Sequence, residues 1–149
     1  MRQIPRVKDA YNITKMSSLI IDENETLVNV IKRFVKNPEL RGIFLVDKKK
    51  KLKGAITKTD LLNIVKVKLG KDVDEIPLRI LVLKHLSDVK VNEIVSMFSE
   101  RAGVKLNDSL DKALELMIKM DLIDIPVVDE DNKIIGDLTL SEILLKIMT

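Results

Sequence analysis

Two hydrophobic rhythms alternate along the chain. Leu27, Val30, Ile31, Phe34 and Val35 recur at the i, i+3, i+4, i+7 and i+8 positions of one face of an amphipathic helix, and Leu110, Ala113, Leu114, Met117 and Ile118 repeat that spacing. Between these stretches lie short apolar runs of strand length, separated by polar turn residues. The pattern predicts, in order, a strand near Leu19 to Ile21, a helix from Thr26 to Lys36, strands Ile43 to Val46 and Leu52 to Ile56, and a helix from Lys58. The second half predicts a strand near Val104 to Leu106, a helix from Leu110 to Met120, strands Ile125 to Val128 and Lys133 to Leu138, and a closing helix.

The two series are one unit written twice. Residues 43–62, IFLVDKKKKLKGAITKTDLL, align with residues 125–144, IPVVDEDNKIIGDLTLSEIL, at a constant offset of 82, which pairs Asp47 with Asp129, Gly54 with Gly136, Thr57 with Thr139 and Asp60 with Glu142. Upstream the offset is 83, so the first copy carries one extra residue near Pro38. The expected division is copy one at 1–69, a connector at 70–90 and copy two at 91–149. Val7-Lys8-Asp9 at the entry of copy one resembles Val91-Asn92-Glu93 at the entry of copy two. Each β-α-β-β-α unit is too small to bury a comfortable core alone, so the expected fold is α+β, the copies packed as a pseudo-twofold pair with sheets inward and helices outward. Function should then lie between them. In the connector, Ile80, Leu81, Leu83 and Leu86 predict a short helix bounded by Gly70 and Pro77, laid against the core or another subunit.

Composition removes most catalytic chemistry. The 149 residues include no Cys, no Trp and one His, so thiolate sites, disulfides and paired-imidazole sites are excluded, and His85 reads as a structural residue. Aromatics at 3% give little for stacking bases. No nucleophile, acid–base pair or metal set remains, and no enzyme is expected. No apolar stretch is long enough for a membrane span and the N-terminus has no signal-peptide core, so a cytoplasmic location is expected. The net charge of +3 hides an asymmetry. Residues 1–70 hold 16 basic and 7 acidic side chains, net +9, whereas residues 71–149 hold 10 and 16, net −6.

The chemistry that survives is at two strand-to-helix junctions, Gly54-Ala55-Ile56-Thr57-Lys58-Thr59-Asp60 and Gly136-Asp137-Leu138-Thr139-Leu140-Ser141-Glu142. A Thr followed three residues later by an acid is a capping box, which alone accounts for both. The same geometry also presents free N–H groups and hydroxyls to a phosphate, and a carboxylate to a ribose diol.

The GAITKTD segment and the DIPVVDEDNKIIG hairpin resemble the signatures of tandem CBS domains (named for cystathionine beta-synthase), whose paired repeats form a Bateman module. The resemblance spans nearly the whole chain. It implies a regulatory module that binds an adenosyl ligand such as AMP, ADP, ATP or S-adenosylmethionine between the repeats, with no obligatory cofactor, and signals to an unidentified regulated protein by a population shift. Carried over, Asp60 would hold the ribose and Thr57 and Thr59 the phosphate or ribose, with Arg41 as a basic phosphate ligand and Thr14 and Ser17 lining the adenosine pocket. In copy two Thr139, Ser141 and Glu142 correspond, but Glu142 replaces the signature Asp. Arg41, Lys53 and Lys58 are expected around the first pocket and Asp124, Asp137 and Glu142 around the second. A phosphate would then favour the first, and an uncharged nucleoside or a sulfonium such as S-adenosylmethionine would suit the second.

Two alternatives stay open: a structural or dimerisation module without ligand, and a nucleic-acid binder using the basic first half. Lys48 to Lys51 reads best as a solvated hairpin turn, as does Asp129 to Asn132, and Met97, Met117, Met120 and Met148 as core or subunit contacts. The opposite charges of the halves, and the disc-like pairs that such modules often form, predict a head-to-tail homodimer.

Overall fold

In a computed structural model, which describes residues 4–11, 20–70, 76–94 and 103–149, the helix and strand rhythms become two small α/β lobes. In the first lobe, β1 (Ile20–Asp22) pairs parallel with β2 (Gly42–Val46), and β2 pairs antiparallel with β3 (Leu52–Thr57); α1 (Leu27–Lys36) joins β1 to β2, and α2 (Lys58–Leu69) follows β3. The connector holds α3 (Leu78–Leu86). In the second lobe α4 (Leu110–Met120) precedes the antiparallel pair β4 (Asp124–Val128) and β5 (Ile134–Thr139), and α5 (Leu140–Met148) follows.

The expected third strand of copy two shrinks to one parallel bridge, Val104 to Val127. The chain turns immediately afterwards, because Asp108 Oδ2 captures the backbone N–H of Lys105 at 2.8 Å. In α3, Leu81 and Leu86 are buried as the connector reading requires, whereas Ile80 and Leu83 face solvent. Met117 is buried, Met148 is 79% exposed and not a core residue, and Met97 lies outside the described residues.

Alternation along the strands sorts the core into three clusters. Ile43, Leu45 and Ile56 face the helices of the first lobe, and Ile125, Val127 and Leu138 those of the second. Phe44, Leu52, Ala55 and Val128 point the other way and pack the two sheets together, so sheets are inward and helices outward. At the hairpins Lys50 and Asn132 both take left-handed backbone, with φ of 66° and 63°, while Asp47 Oδ1 and Asp129 Oδ1 each accept two turn N–H bonds. The hairpins also meet: Leu52 N donates to Asn132 O, and Asn132 Nδ2 donates to Leu52 O. Lys48 to Lys51 thus form a turn, as do Asp129 to Asn132.

The lobes are further tied by exchanged lead-in segments. Val7 is fully buried in the core of the second lobe, and Val91 in that of the first. Val7 N donates to Asp108 O and Lys8 N to Leu106 O, and symmetrically Val91 N donates to Glu25 O and Asn92 N to Glu23 O. Leu110 N donates to Pro5 O as Leu27 N does to Val89 O. Burying each valine contributes about 2 kcal/mol to the lobe it does not precede.

Candidate functional site

Both strand-to-helix junctions fold as capping boxes. Thr57 Oγ1 accepts the Asp60 N–H at 3.0 Å, and Thr57 N donates to Asp60 Oδ2 at 2.8 Å. Thr139 Oγ1 accepts the Glu142 N–H at 3.2 Å, and Thr139 N donates to Glu142 Oε1 at 2.9 Å. The β region backbone of each Thr lets its hydroxyl reach the N–H three residues on, which starts the helix. Asp60 is half-buried; that burial raises its pKa above the usual carboxylate value, and its bonds to Thr57 pull the other way.

Beside each helix start lies a cavity completed by the other lobe. The first, about 190 Å³, is lined by Arg41, Gly42, Thr57, Lys58 and Thr59 and by residues 121–124 of the second lobe. The second, about 490 Å³, is lined by Thr139, Leu140, Ser141, Ile123 and Asp124 and by residues 39–41 of the first lobe. Only the second falls in the range usual for small-molecule pockets. Arg41, Thr57, Lys58 and Thr59 are therefore brought together at one cavity and Thr139 and Ser141 at its pseudo-twofold mate. Asp60 and Glu142 lie behind the lining as caps, and Thr14 and Ser17 fall outside the described residues.

The charge distribution differs from the expected basic and acidic pair of pockets. Arg41 and Asp124 each line both cavities. Lys58 Nζ donates to Pro38 O at 2.8 Å and lies 5.8 Å from the Phe34 ring centroid, so part of its charge is already engaged. Lys53 belongs to neither cavity; it lines a groove of about 570 Å³ at the hairpin end with Glu23, Asp47, Lys48 and Asn132. A residue six positions along a strand and turn from Thr59 is carried to the opposite end of β3, beyond reach of the helix start.

The acidic residues were visible in the sequence, but their pairing was not. Asp137 is 6% exposed, the one buried charged residue among those described. Asp124 is mostly buried, and its Oδ1 meets no hydrogen-bond partner. Burial, then the neighbouring charge and hydrogen bond of Asp137, then the charge of Glu142, push the Asp124 pKa up to about 8. The signal for this was the strand register: Asp124 opposite Thr139 and Pro126 opposite Asp137 put both carboxyls on one face.

The CBS-domain family matches residues 7–67 and 89–149, and the chain belongs to that family. An uncharacterised protein of Methanocaldococcus jannaschii is 25% identical over 142 residues, covering 85% of this chain and 83% of its own. A crystallised CBS domain-containing protein of Thermotoga maritima superposes with a TM-score of 0.74 at 24% identity, covering 99% of this chain and 96% of its own. CBSX2, a CBS-pair protein of Arabidopsis thaliana, gives a TM-score of 0.68 at 21% identity in its complex with AMP, covering 97% and 96%. At these identities the structural likeness is one of fold.

Proposed function

We propose that this CBS pair is a non-catalytic regulatory module that binds an adenine nucleotide in the cleft between its repeats and passes occupancy to a partner protein. The observation that carries the reading is the pair of cavities, each built from the helix start of one repeat and the strand start of the other. A ligand there touches both lobes, so it can favour one inter-repeat geometry. The binding of AMP by CBSX2 adds support for the ligand class. Arg41 and the α2 N–H groups would meet phosphate, Thr57 and Thr59 phosphate or ribose, and Asp60 the ribose hydroxyls, with Thr139, Ser141 and Glu142 in the corresponding second site. S-adenosylmethionine is the other adenosyl candidate, since its cation suits a cleft bordered by Asp124.

One observation favours the ligand-free structural reading: the carboxylates of Asp60 and Glu142 are both engaged as caps. Calorimetric titration with AMP, ATP and S-adenosylmethionine separates the two. Heat with at least one, reduced by Arg41→Ala, supports the ligand module; no heat with any supports the structural one.

We also propose a head-to-tail homodimer. Val28, Ile31 and Val35 on α1 and Leu144, Leu145 and Met148 on α5 leave apolar faces exposed, and the two halves carry opposite net charge. Light scattering at micromolar concentration should give twice the mass of 16.9 kDa; the monomer mass ends the idea. Among the described residues no helix is long and apolar enough to cross a membrane. We place the module in the cytoplasm, as a binder of small molecules more than of nucleic acid.

A further inference from the structure

The repeats are most unlike where their sheets meet. The offset of 82 places Asp137 where copy one has Ala55, which packs with Phe44, Leu52 and Val128, and Asp124 where copy one has Gly42. Copy two thus sets two carboxyls on the inter-sheet face, Asp137 buried and Asp124 mostly so, with one Asp124 oxygen buried and without a hydrogen-bond partner. Two ionised carboxylates are acceptors only and repel each other, so a neighbouring pair shielded from water is stabilised by holding one proton. Asp124 also borders both cavities of the cleft.

We propose that Asp124 and Asp137 hold one proton between them and that this proton decides how well the cleft accepts a phosphate-bearing ligand, so that both cavities are linked to a single protonation event. The ligand half of this rests on the nucleotide reading above; the proton half does not. With the proton in place the pair carries one negative charge, and without it two. The other charged groups around Asp124 are Glu142 on α5, Arg41 and Glu39 before β2, Lys58 at the start of α2 and Asp121 before β4. Of these Arg41 is the cation that borders both cavities together with Asp124, so the negative charge it shares the cleft with depends on the proton. The raised pKa of Asp124, about 8, puts the change in the neutral to mildly alkaline range. Above pH 7 the phosphate of AMP has already passed its own second ionisation near ~6, so a change there belongs to the protein.

Two measurements test the halves separately. Because the folded pKa lies above the unfolded value, the stabilisation from the bound proton is full below about 3.8 and is lost as pH rises to about 8. Thermal unfolding of the ligand-free protein should therefore show a midpoint that falls from pH 5 to pH 8, and Asp124→Asn should flatten this fall. Asp137→Asn, which removes the neighbouring charge and leaves burial in place, should move the fall to lower pH. Equal pH dependence in all three proteins overturns the shared proton.

Calorimetry with AMP at pH 7 and pH 9 reads the ligand half. The wild type should lose roughly tenfold in affinity, as one added charge a few ångströms away dictates. Asp124→Asn should lose much less, and uncharged adenosine should bind the wild type equally at both values. An AMP affinity that is flat with pH, or that falls equally in Asp124→Asn, overturns the gating. If AMP does not bind at either pH while the unfolding difference persists, the nucleotide reading and the gating fail and the shared proton stands.

Discussion

Copy one and copy two use the same local devices and diverge at the surface they share. Their hairpin turns, capping boxes and lead-in hydrogen bonds correspond residue for residue. Their sheets do not. Copy one has three strands and an apolar inner face with Phe44 and Ala55, whereas copy two has, among the described residues, two strands, a single bridge at Val104, the buried Asp137 and the mostly buried Asp124. Local chemistry sets each repeat's frame, and the inner face is where the second repeat carries Asp124 and Asp137 in place of Gly42 and Ala55.

The largest effect should come from forcing copy one to resemble copy two. Ala55→Asp would set a carboxyl among Phe44, Leu52 and Val128 without the companion carboxyl, and an uncompensated buried charge should remove about 3 to 5 kcal/mol of stability in denaturant unfolding at pH 7. A loss below about 1 kcal/mol would mean that the inner faces are interchangeable.

Next in size are the exchanged lead-ins. Val7→Ala and Val91→Ala should each cost about 2 kcal/mol, and hydrogen exchange should place the loosening in the opposite lobe: around Leu110 to Met117 for Val7→Ala, and around Leu27 to Phe34 for Val91→Ala. Loosening confined to the adjoining lobe in sequence would break the exchange.

The caps should differ least between copies. Thr57→Ala and Thr139→Ala should each lower stability by about 1 kcal/mol, within a few tenths of one another. A clear excess at Thr139 would show that the bond from its Oγ1 to Glu142 Oε1, at 2.9 Å, adds to the cap. The smallest effect is expected at the turns: Asp47→Ala and Asp129→Ala each lose two hydrogen bonds to exposed N–H groups, which water replaces, so each should lower stability by less than loss of a cap. The Asp47 pKa is lowered, first by the Lys51 backbone N–H, so its share of stability is present above the usual carboxylate range and disappears as pH falls below it.

What was legible in the sequence is what local chemistry controls. The helix rhythm of Leu27 to Val35, the turn at Asp47 and the Thr-x-x-acid caps all act within a few residues, and the elements fall where those signals put them. The offset of 82 made the pairing of copies visible too. The likeness of Val7-Lys8-Asp9 to Val91-Asn92-Glu93 was readable, but the lobe each packs on is a non-local choice that no spacing encodes. Val104 to Leu106 has a strand's composition, yet Asp108 draws the chain into a turn. Lys53 is close to Thr57 in sequence, but the length of β3 separates the two in space. The Asp124 and Asp137 pair required the register of β4 on β5, which only the folded chain supplies.

Binding of a nucleotide between the repeats can be read residue by residue from amide chemical shifts during a titration with AMP. Shifts are expected at Arg41, Gly42, Thr57 to Thr59 and Ile123 to Asp124, on both sides of one cleft. Saturating AMP that leaves these amides unmoved, or that moves only Lys48 to Lys53 at the hairpin groove, would contradict it.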